Sequence, residues 1–181
     1  TRLCSSAASD VYKRQDIYNI IEPPLKANKG SVFYINLSSD DYKLGGSAFS
    51  QIIGNIGVDT PTINDSKYFL NVFDTIQKMI KKKLIISGHD VGSGGLITTL
   101  MEMCFSTNNI GAKIDLTSLN EKDSVKLLFS ENSGIVIQCK DKKSEKEIMD
   151  SGIRAYRIGE VTISNNLVIK NHDNDFLFDL D

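Results

Sequence analysis

Leu84-Ile85-Ile86-Ser87-Gly88-His89-Asp90-Val91-Gly92-Ser93-Gly94-Gly95, running into the apolar stretch Leu96 to Phe105, is the most informative part of this 181-residue chain. The short run Leu84 to Ser87 predicts a buried strand, and Leu96 to Phe105 is long and apolar enough for a packed helix. A strand that turns through glycines into a helix leaves unpaired backbone N–H groups at the helix N-terminus, where the dipole favours an anion, most often a phosphate. Glycine suits such a loop because a side chain would hold the phosphate off the backbone, and because the turn often needs positive φ. Four glycines fall within these eight loop residues. The pattern is not a P-loop, since no Gly-Lys-Ser/Thr follows, nor is it the dinucleotide G-x-G-x-x-G fingerprint. Asp90, a carboxylate at the strand end, is a candidate ligand for a magnesium ion bridging to phosphate oxygens, with His89 orienting it. Spacing alone equally permits Asp90 to cap the helix and His89 to pack in the loop.

On either side of this loop the chain alternates strands and helices. Ser31 to Leu37 reads as a strand, rich in β-branched and aromatic residues. Leu44-Gly45-Gly46-Ser47 opens a short helix through Ala48 to Ile53 that closes at Gly54 or Gly57. Behind Asp65-Ser66, the residues Phe69, Val72, Phe73, Ile76, Met79 and Ile80 recur at helical spacing and predict one core-facing stripe. Lys78, Lys81, Lys82 and Lys83 fall in that helix's last turn, where cations complement exposed carbonyls; a phosphate-gripping patch is the sharper alternative. Further on, the pattern predicts strands over 112–116, 134–140, 154–161, 167–170 and 176–180, and helices over 121–129 and 144–151. Phe176, Phe178 and Leu180 alternate with aspartates up to the last residue, as in a strand cut off mid-pattern. Phe129-Ser130-Glu131-Asn132-Ser133-Gly134 forms a second polar knot. Glu131 is a candidate metal ligand there, and Ser130 or Ser133 a phosphate contact, against the plainer reading of a turn.

Composition sets the limits. Hydrophobic residues make up 40% and charged residues 24%, as in an ordinary globular domain, and the length suits one domain. No run approaches the roughly 18 apolar residues of a membrane span. Residues 1–15 are small, polar and basic, with the look of a translated cloning adaptor rather than a secretory signal, and the domain is expected over 16–181. Outside that leader 18 basic and 22 acidic residues give a formal charge of −4, which argues against general nucleic-acid binding. Cys104 and Cys139 lie far apart with no zinc or disulfide spacing; Cys104 reads as a small core residue, and the expected compartment is the reducing cytoplasm.

Five stretches, in order and at matching spacing, carry a resemblance: Leu44-Gly45-Gly46-Ser47, Gly88 to Gly95, Leu100-Met101-Glu102-Met103, Leu128-Phe129-Ser130-Glu131 and Ile158-Gly159-Glu160-Val161. Together they resemble the phosphoribosylformylglycinamidine synthase family, specifically the second aminoimidazole-ribonucleotide-synthetase-like C-terminal domain of its long single-chain form, truncated at its C-terminus. The resemblance implies an α+β fold with a mixed β-sheet packed with helices. Alternation by itself also allows a doubly wound parallel sheet. It implies a part of an ATP- and glutamine-dependent C–N ligase of purine biosynthesis, in which ATP phosphorylates an amide oxygen and ammonia displaces the phosphate. This domain would hold an auxiliary Mg2+–ATP or Mg2+–ADP, and the isolated fragment would be inactive. Its implied partners are the missing domains of the same polypeptide: the N-domain of the second half, the first synthetase half and the glutaminase domain.

The family's His-Asp-x-Ser-Asp-Gly-Gly motif falls on His89 to Gly95. Asp90 matches the magnesium ligand, and His89, Gly92, Ser93 and Gly94 become the nucleotide-binding candidates. Gly92 stands where the family has serine, and Ser93 where it has aspartate, so backbone donors carry more of any contact. Gly45, Gly46, Ser47, Ser130 and Ser133 are implied to lie near phosphate, and Glu131 near metal. The alternatives are a non-catalytic scaffold domain of the same enzyme, or another ATP-using member of the superfamily such as aminoimidazole ribonucleotide synthetase, selenophosphate synthetase or thiamine-phosphate kinase.

Overall fold

The strand β1 (Val32–Asn36) is buried at all five positions because it is flanked on both edges and covered on both faces. Alternate side chains leave a strand on opposite faces. Val32 and Tyr34 therefore join one apolar cluster, and Phe33 and Ile35 the other. The computed structural model describes residues 19–38, 42–105 and 109–180. The adaptor expected at residues 1–15 lies outside the described residues.

Seven strands form one mixed sheet: β1, β2 (Ile85–Asp90), β3 (Gly111–Asp115), β4 (Gly134–Cys139), β5 (Ala155–Thr162), β6 (Asn166–Asn171) and β7 (Asn174–Asp179). Their order is β2-β4-β1-β5-β3-β6-β7. Every neighbouring pair is antiparallel except β3 and β6, where Ala112 pairs with Leu167 and Ile114 with Ile169. The sheet is thus mixed, as the resemblance implies, and not the parallel sheet that alternation alone allows.

Helices lie on both faces. α3 (Gly95–Phe105) and α4 (Ser124–Phe129) pack Leu96, Leu100, Met103, Leu127 and Leu128 on the face that carries Val32, Tyr34 and Val136. α2 (Ser66–Lys81) and α5 (Lys142–Met149) cover the other face with Val72, Ile76, Met79 and Ile148. α1 (Ala48–Ile52) lies in the connection between β1 and α2.

Local rules account for most boundaries. Asp65 caps α2 by accepting from the Tyr68 amide, and Asp123 caps α4 by accepting from Val125 and Lys126. α4 consequently begins at Ser124, later than the expected 121. Phe73, read as a core position, is 47% exposed, because the buried stripe of α2 narrows to Val72, Ile76 and Met79. β2 runs three residues beyond the expected Ser87, so His89 and Asp90 are strand residues paired opposite Val136 and Ile135. Its outer edge is covered by the preceding segment: Gly88 N donates to Glu22 O (3.1 Å), and Ser87 Oγ to Pro23 O (2.7 Å). Cys104 packs in the core as expected; burial pushes its thiol up to about 11, and that of Cys139 likewise. Among the described residues no helix is long and apolar enough to cross a membrane.

Candidate functional site

The glycine loop is a tight turn with particular backbone requirements. Gly95 N donates to Gly92 O (3.1 Å), closing a four-residue turn in which Gly94, the third residue, has φ +89°. That third position with positive φ is the place in a type II turn that takes glycine. Gly95 follows at φ +76°, and a Cβ there would lie 2.6 Å from Leu128 O and against the Phe129 backbone. Glycine at 95 thus lets the start of α3 meet the end of α4. Gly92 is different: a Cβ built on it meets nothing within 4 Å, so the position has room for a side chain.

The hydrogen-bond inventory separates spent donors from unspent ones. Val91 N donates to Gly134 O (2.8 Å), Gly95 N to Gly92 O, and Gly94 N to Glu131 Oε1 (2.9 Å). Among the described residues the amides of Gly92 and Ser93 donate to no protein group. Both residues are exposed, at the entrance to α3. An adjacent pair of free N–H groups at a helix N-terminus is what an anion requires.

Asp90 stands beside them with its side chain 84% exposed. Its backbone, by contrast, is pinned: the carbonyl accepts from His89 Nδ1 (2.8 Å), and Thr99 Oγ1 lies 3.1 Å away. The other face of His89 is held from α3, with Nε2 3.1 Å from Glu102 Oε2, an ion pair whenever the ring is protonated. His89 therefore orients the main chain of Asp90 more closely than its carboxylate, which lies 3.5 Å from Nδ1. Glu102 and Thr99 escaped the sequence reading as site residues. They sit three apart on one face of α3, and Glu102 lies inside one of the five motif stretches, but only the packing of α3 on β2 brings Glu102 to His89 and Thr99 to the Asp90 carbonyl.

The segment around Gly45 joins the site indirectly. Gly45 N donates to Asp59 O, Gly46 N to Ile56 O (both 2.8 Å), and Ser47 N to Leu44 O (3.1 Å). Ser47 caps α1 through the Ser50 amide. None of the three offers a free backbone donor. A Cβ on Gly45 would fall 2.4 Å from Asp59 O, so glycine there answers a close approach within the loop. Glu131 links the two regions, because Oε1 accepts from Ala48 N (2.8 Å) as well as from Gly94 N. Phe49 also stacks on Phe129, with centroids 4.9 Å apart. Ser130 is buried at the end of α4, and Ser133 lies beside it with its carbonyl accepting from Leu37 N.

No group of three His, Cys, Asp or Glu side chains among the described residues forms a metal cage. The exposed Asp90 carboxylate is the group that would face an Mg2+ shared with phosphate oxygens, the usual mode for this ion.

Comparison with known proteins agrees with the fold. Residues 29–170 match the family described as AIR synthase related protein, C-terminal domain. A protein of Arabidopsis thaliana named probable phosphoribosylformylglycinamidine synthase, chloroplastic/mitochondrial, is 36% identical over 152 residues, covering 83% of this chain and 10% of its own length. The phosphoribosylformylglycinamidine synthase of Homo sapiens is 31% identical over 149 residues, covering 80% of this chain and 11% of its own. The chain thus spans about a tenth of the length of these relatives. Among solved structures, T. maritima PurL complexed with ATP superposes with a TM-score of 0.67 at 11% identity, over 89% of this chain and 26% of that one. The same protein complexed with FGAR also gives 0.67, at 16% identity, over 89% of this chain and 28% of that one. At such identities the likeness is one of fold.

Proposed function

The chain belongs to the AIR synthase related family, through its C-terminal domain, and from that premise we propose that it is a segment of a phosphoribosylformylglycinamidine synthase. In this reading residues 16–181 form the C-terminal domain of the enzyme's second half. Its partners are the other domains of the same polypeptide: the N-domain of that half, the first synthetase half and the glutaminase domain. The whole enzyme is an ATP- and glutamine-dependent ligase acting on formylglycinamide ribonucleotide in purine biosynthesis. The proposed compartment is the cytoplasm, although the name of the Arabidopsis relative places that protein in organelles.

The role proposed for the segment itself is to hold an auxiliary Mg2+–ATP or Mg2+–ADP. The observation that carries it is an exposed carboxylate at Asp90 followed, two and three positions along the chain, by the amides of Gly92 and Ser93, which have no protein partner among the described residues at the start of α3. In the proposed arrangement those amides donate to a phosphate oxygen, supported by the dipole of α3. Asp90 supplies the protein's oxygen to Mg2+, which when bound neutralises phosphate charge. His89, held by Glu102, fixes the backbone from which Asp90 projects. Ser47, Ser130 and Ser133 belong to the surrounding shell, and none is assigned a catalytic step. The complexes of T. maritima PurL with ATP and ADP lend support from a relative of the same fold.

Binding of Mg2+–ADP to the full-length enzyme, measured by calorimetry after its first-half nucleotide site has been disabled, tests this reading. Asp90→Ala is expected to weaken binding about ten-fold or more in magnesium and to change little in EDTA. No binding by the parent protein, or an unchanged affinity in Asp90→Ala, removes the metal assignment. Gly92→Ser, in a place with room for the side chain, together with Ser93→Asp restores the residues that the resemblance implies, and is expected to tighten binding. A scaffold domain without nucleotide is the second reading, favoured by the loss of those two side chains; it predicts no binding in either protein.

A further inference from the structure

Two of the motif stretches, and the residue that directly follows a third, meet at one oxygen atom. Glu131 Oε1 accepts from Ala48 N at 2.8 Å and from Gly94 N at 2.9 Å, two amides 46 positions apart in the chain. We propose that Glu131 is a positioning residue, a brace that fastens the segment 44–59 to the glycine loop, and not a ligand of the metal. Its functional meaning rests on the nucleotide reading above.

Segment 44–59 is bonded almost wholly to itself. Gly45 and Gly46 donate to Asp59 and Ile56, Asn55 N donates to Ser50 O, and the hydroxyls of Ser47 and Ser50 both turn to Leu44 O. Among the described residues, Ala48 N–H to Glu131 is the segment's one hydrogen bond to the rest of the chain, alongside the stack of Phe49 on Phe129. The far side of the brace is the Gly94 peptide, the positive-φ link of the turn that presents the amides of Gly92 and Ser93. Glu131 itself projects from a fixed backbone: Ser130 N closes α4 on Lys126 O, and Gly134 O accepts from Val91 N. A carboxylate oxygen that accepts two amide protons forms charge-assisted bonds, the strong kind, so the turn and the segment hold their relative position through it. Glutamine separates brace from ligand, since its carbonyl oxygen accepts the same two bonds but is a poor substitute for a carboxylate on Mg2+.

The test uses hydrogen exchange, limited proteolysis and Mg2+–ADP affinity on the full-length protein. Glu131→Ala is expected to speed exchange at Ala48 and Gly94 about ten-fold or more, while core amides such as Ile35 and Val136 stay protected. Tryptic cleavage after Lys43 is expected to accelerate by a similar factor. Ala48→Pro cuts the same tie from the other side, and is an independent variant should Glu131→Ala fail to fold. Proline is favoured at a first helical position, and the preceding Ser47, at φ −64° and ψ 159°, already has the extended backbone that proline demands. It is expected to speed cleavage after Lys43 with Gly94 still protected. Glu131→Gln is expected to keep exchange, cleavage and Mg2+–ADP affinity within about two-fold of the parent. Unchanged exchange and cleavage in Glu131→Ala and Ala48→Pro would overturn the brace, as would a loss of Mg2+–ADP affinity in Glu131→Gln equal to that of Asp90→Ala. If the parent protein binds no Mg2+–ADP, the nucleotide reading falls, and exchange and cleavage still decide the brace.

Discussion

At the end of the sheet where β4 runs into α5, Ser31, Glu145 and Arg157 satisfy one another, whereas at the opposite end, where β2 runs into the glycine loop, two adjacent backbone amides have no protein partner among the described residues. The α5 end has the larger hollow, about 790 Å3, lined by Ser31, Lys140, Lys142, Glu145, Lys146 and Arg157 among others. Yet Ser31 donates to Glu145 and accepts from Arg157 (both 2.9 Å), Arg157 pairs with Glu145 at 3.2 Å, and Asp141 caps α5 through Ser144. At the loop end Gly92, Ser93 and the Asp90 side chain are exposed, and none of the three lines the hollow of about 450 Å3 beside Gly45, Phe49 and Asp59. Concavity and chemistry have parted company here. On the proposed reading the ligand is held where folding has left backbone donors unspent and not where the volume is greatest, because a ligand gains most from groups without partners.

The contrast can be broken most forcefully at Gly95. An alanine there must adopt φ +76° with its Cβ against the Leu128 carbonyl, so Gly95→Ala is expected to cost about 3 kcal/mol in urea unfolding. Loss of Mg2+–ADP binding should accompany it. A small effect would mean that the approach of α3 to α4 does not depend on this glycine. At the other end, Arg157→Ala removes a half-exposed ion pair and is expected to cost about 1 kcal/mol or less, with Mg2+–ADP affinity unchanged. A fall in affinity would show that the α5 end takes part in the site after all. The smallest effect is a matter of pH. Bonds from the Ser144 amide and hydroxyl hold the Asp141 carboxyl below the usual aspartate range. Its folded value is depressed, so the cap contributes fully above about pH 4 and is lost as pH falls through the lower folded value. Protection against exchange in the first turn of α5, taken relative to the intrinsic rate at each pH, should fall over that acid interval, and this fall should be absent in Asp141→Asn.

What the residues disclose by themselves is mostly local. The stripe of α2, the strand β1 and the run from strand through glycines to helix are short-range patterns, and each element appears within a few residues of its expected place. Phe73 departs because spacing alone cannot distinguish a helical stripe one residue wider than the surface it packs on. The strand order and the single parallel pair are long-range properties to which no local period corresponds. Within the site, Gly94 and Gly95 were legible as glycines that a turn requires. The pairing of Glu102 with His89 was not, because it arises only when α3 packs beside β2. Gly45, Gly46 and Ser47 illustrate the reverse: a glycine-rich stretch looks like a phosphate cradle until its amides are found bonded to Asp59, Ile56 and Leu44.

The placing of β1 in the interior of the sheet bears on how the chain comes off the ribosome. Its five apolar-rich residues finish at Asn36, but the flanking strands are β4, from Gly134, and β5, ending at Thr162. At roughly 5–20 residues per second, synthesis needs on the order of ten seconds to deliver both partners. For that interval Val-Phe-Tyr-Ile-Asn has neither edge paired, and a nascent chain in this state is a natural client for a chaperone that holds extended apolar segments.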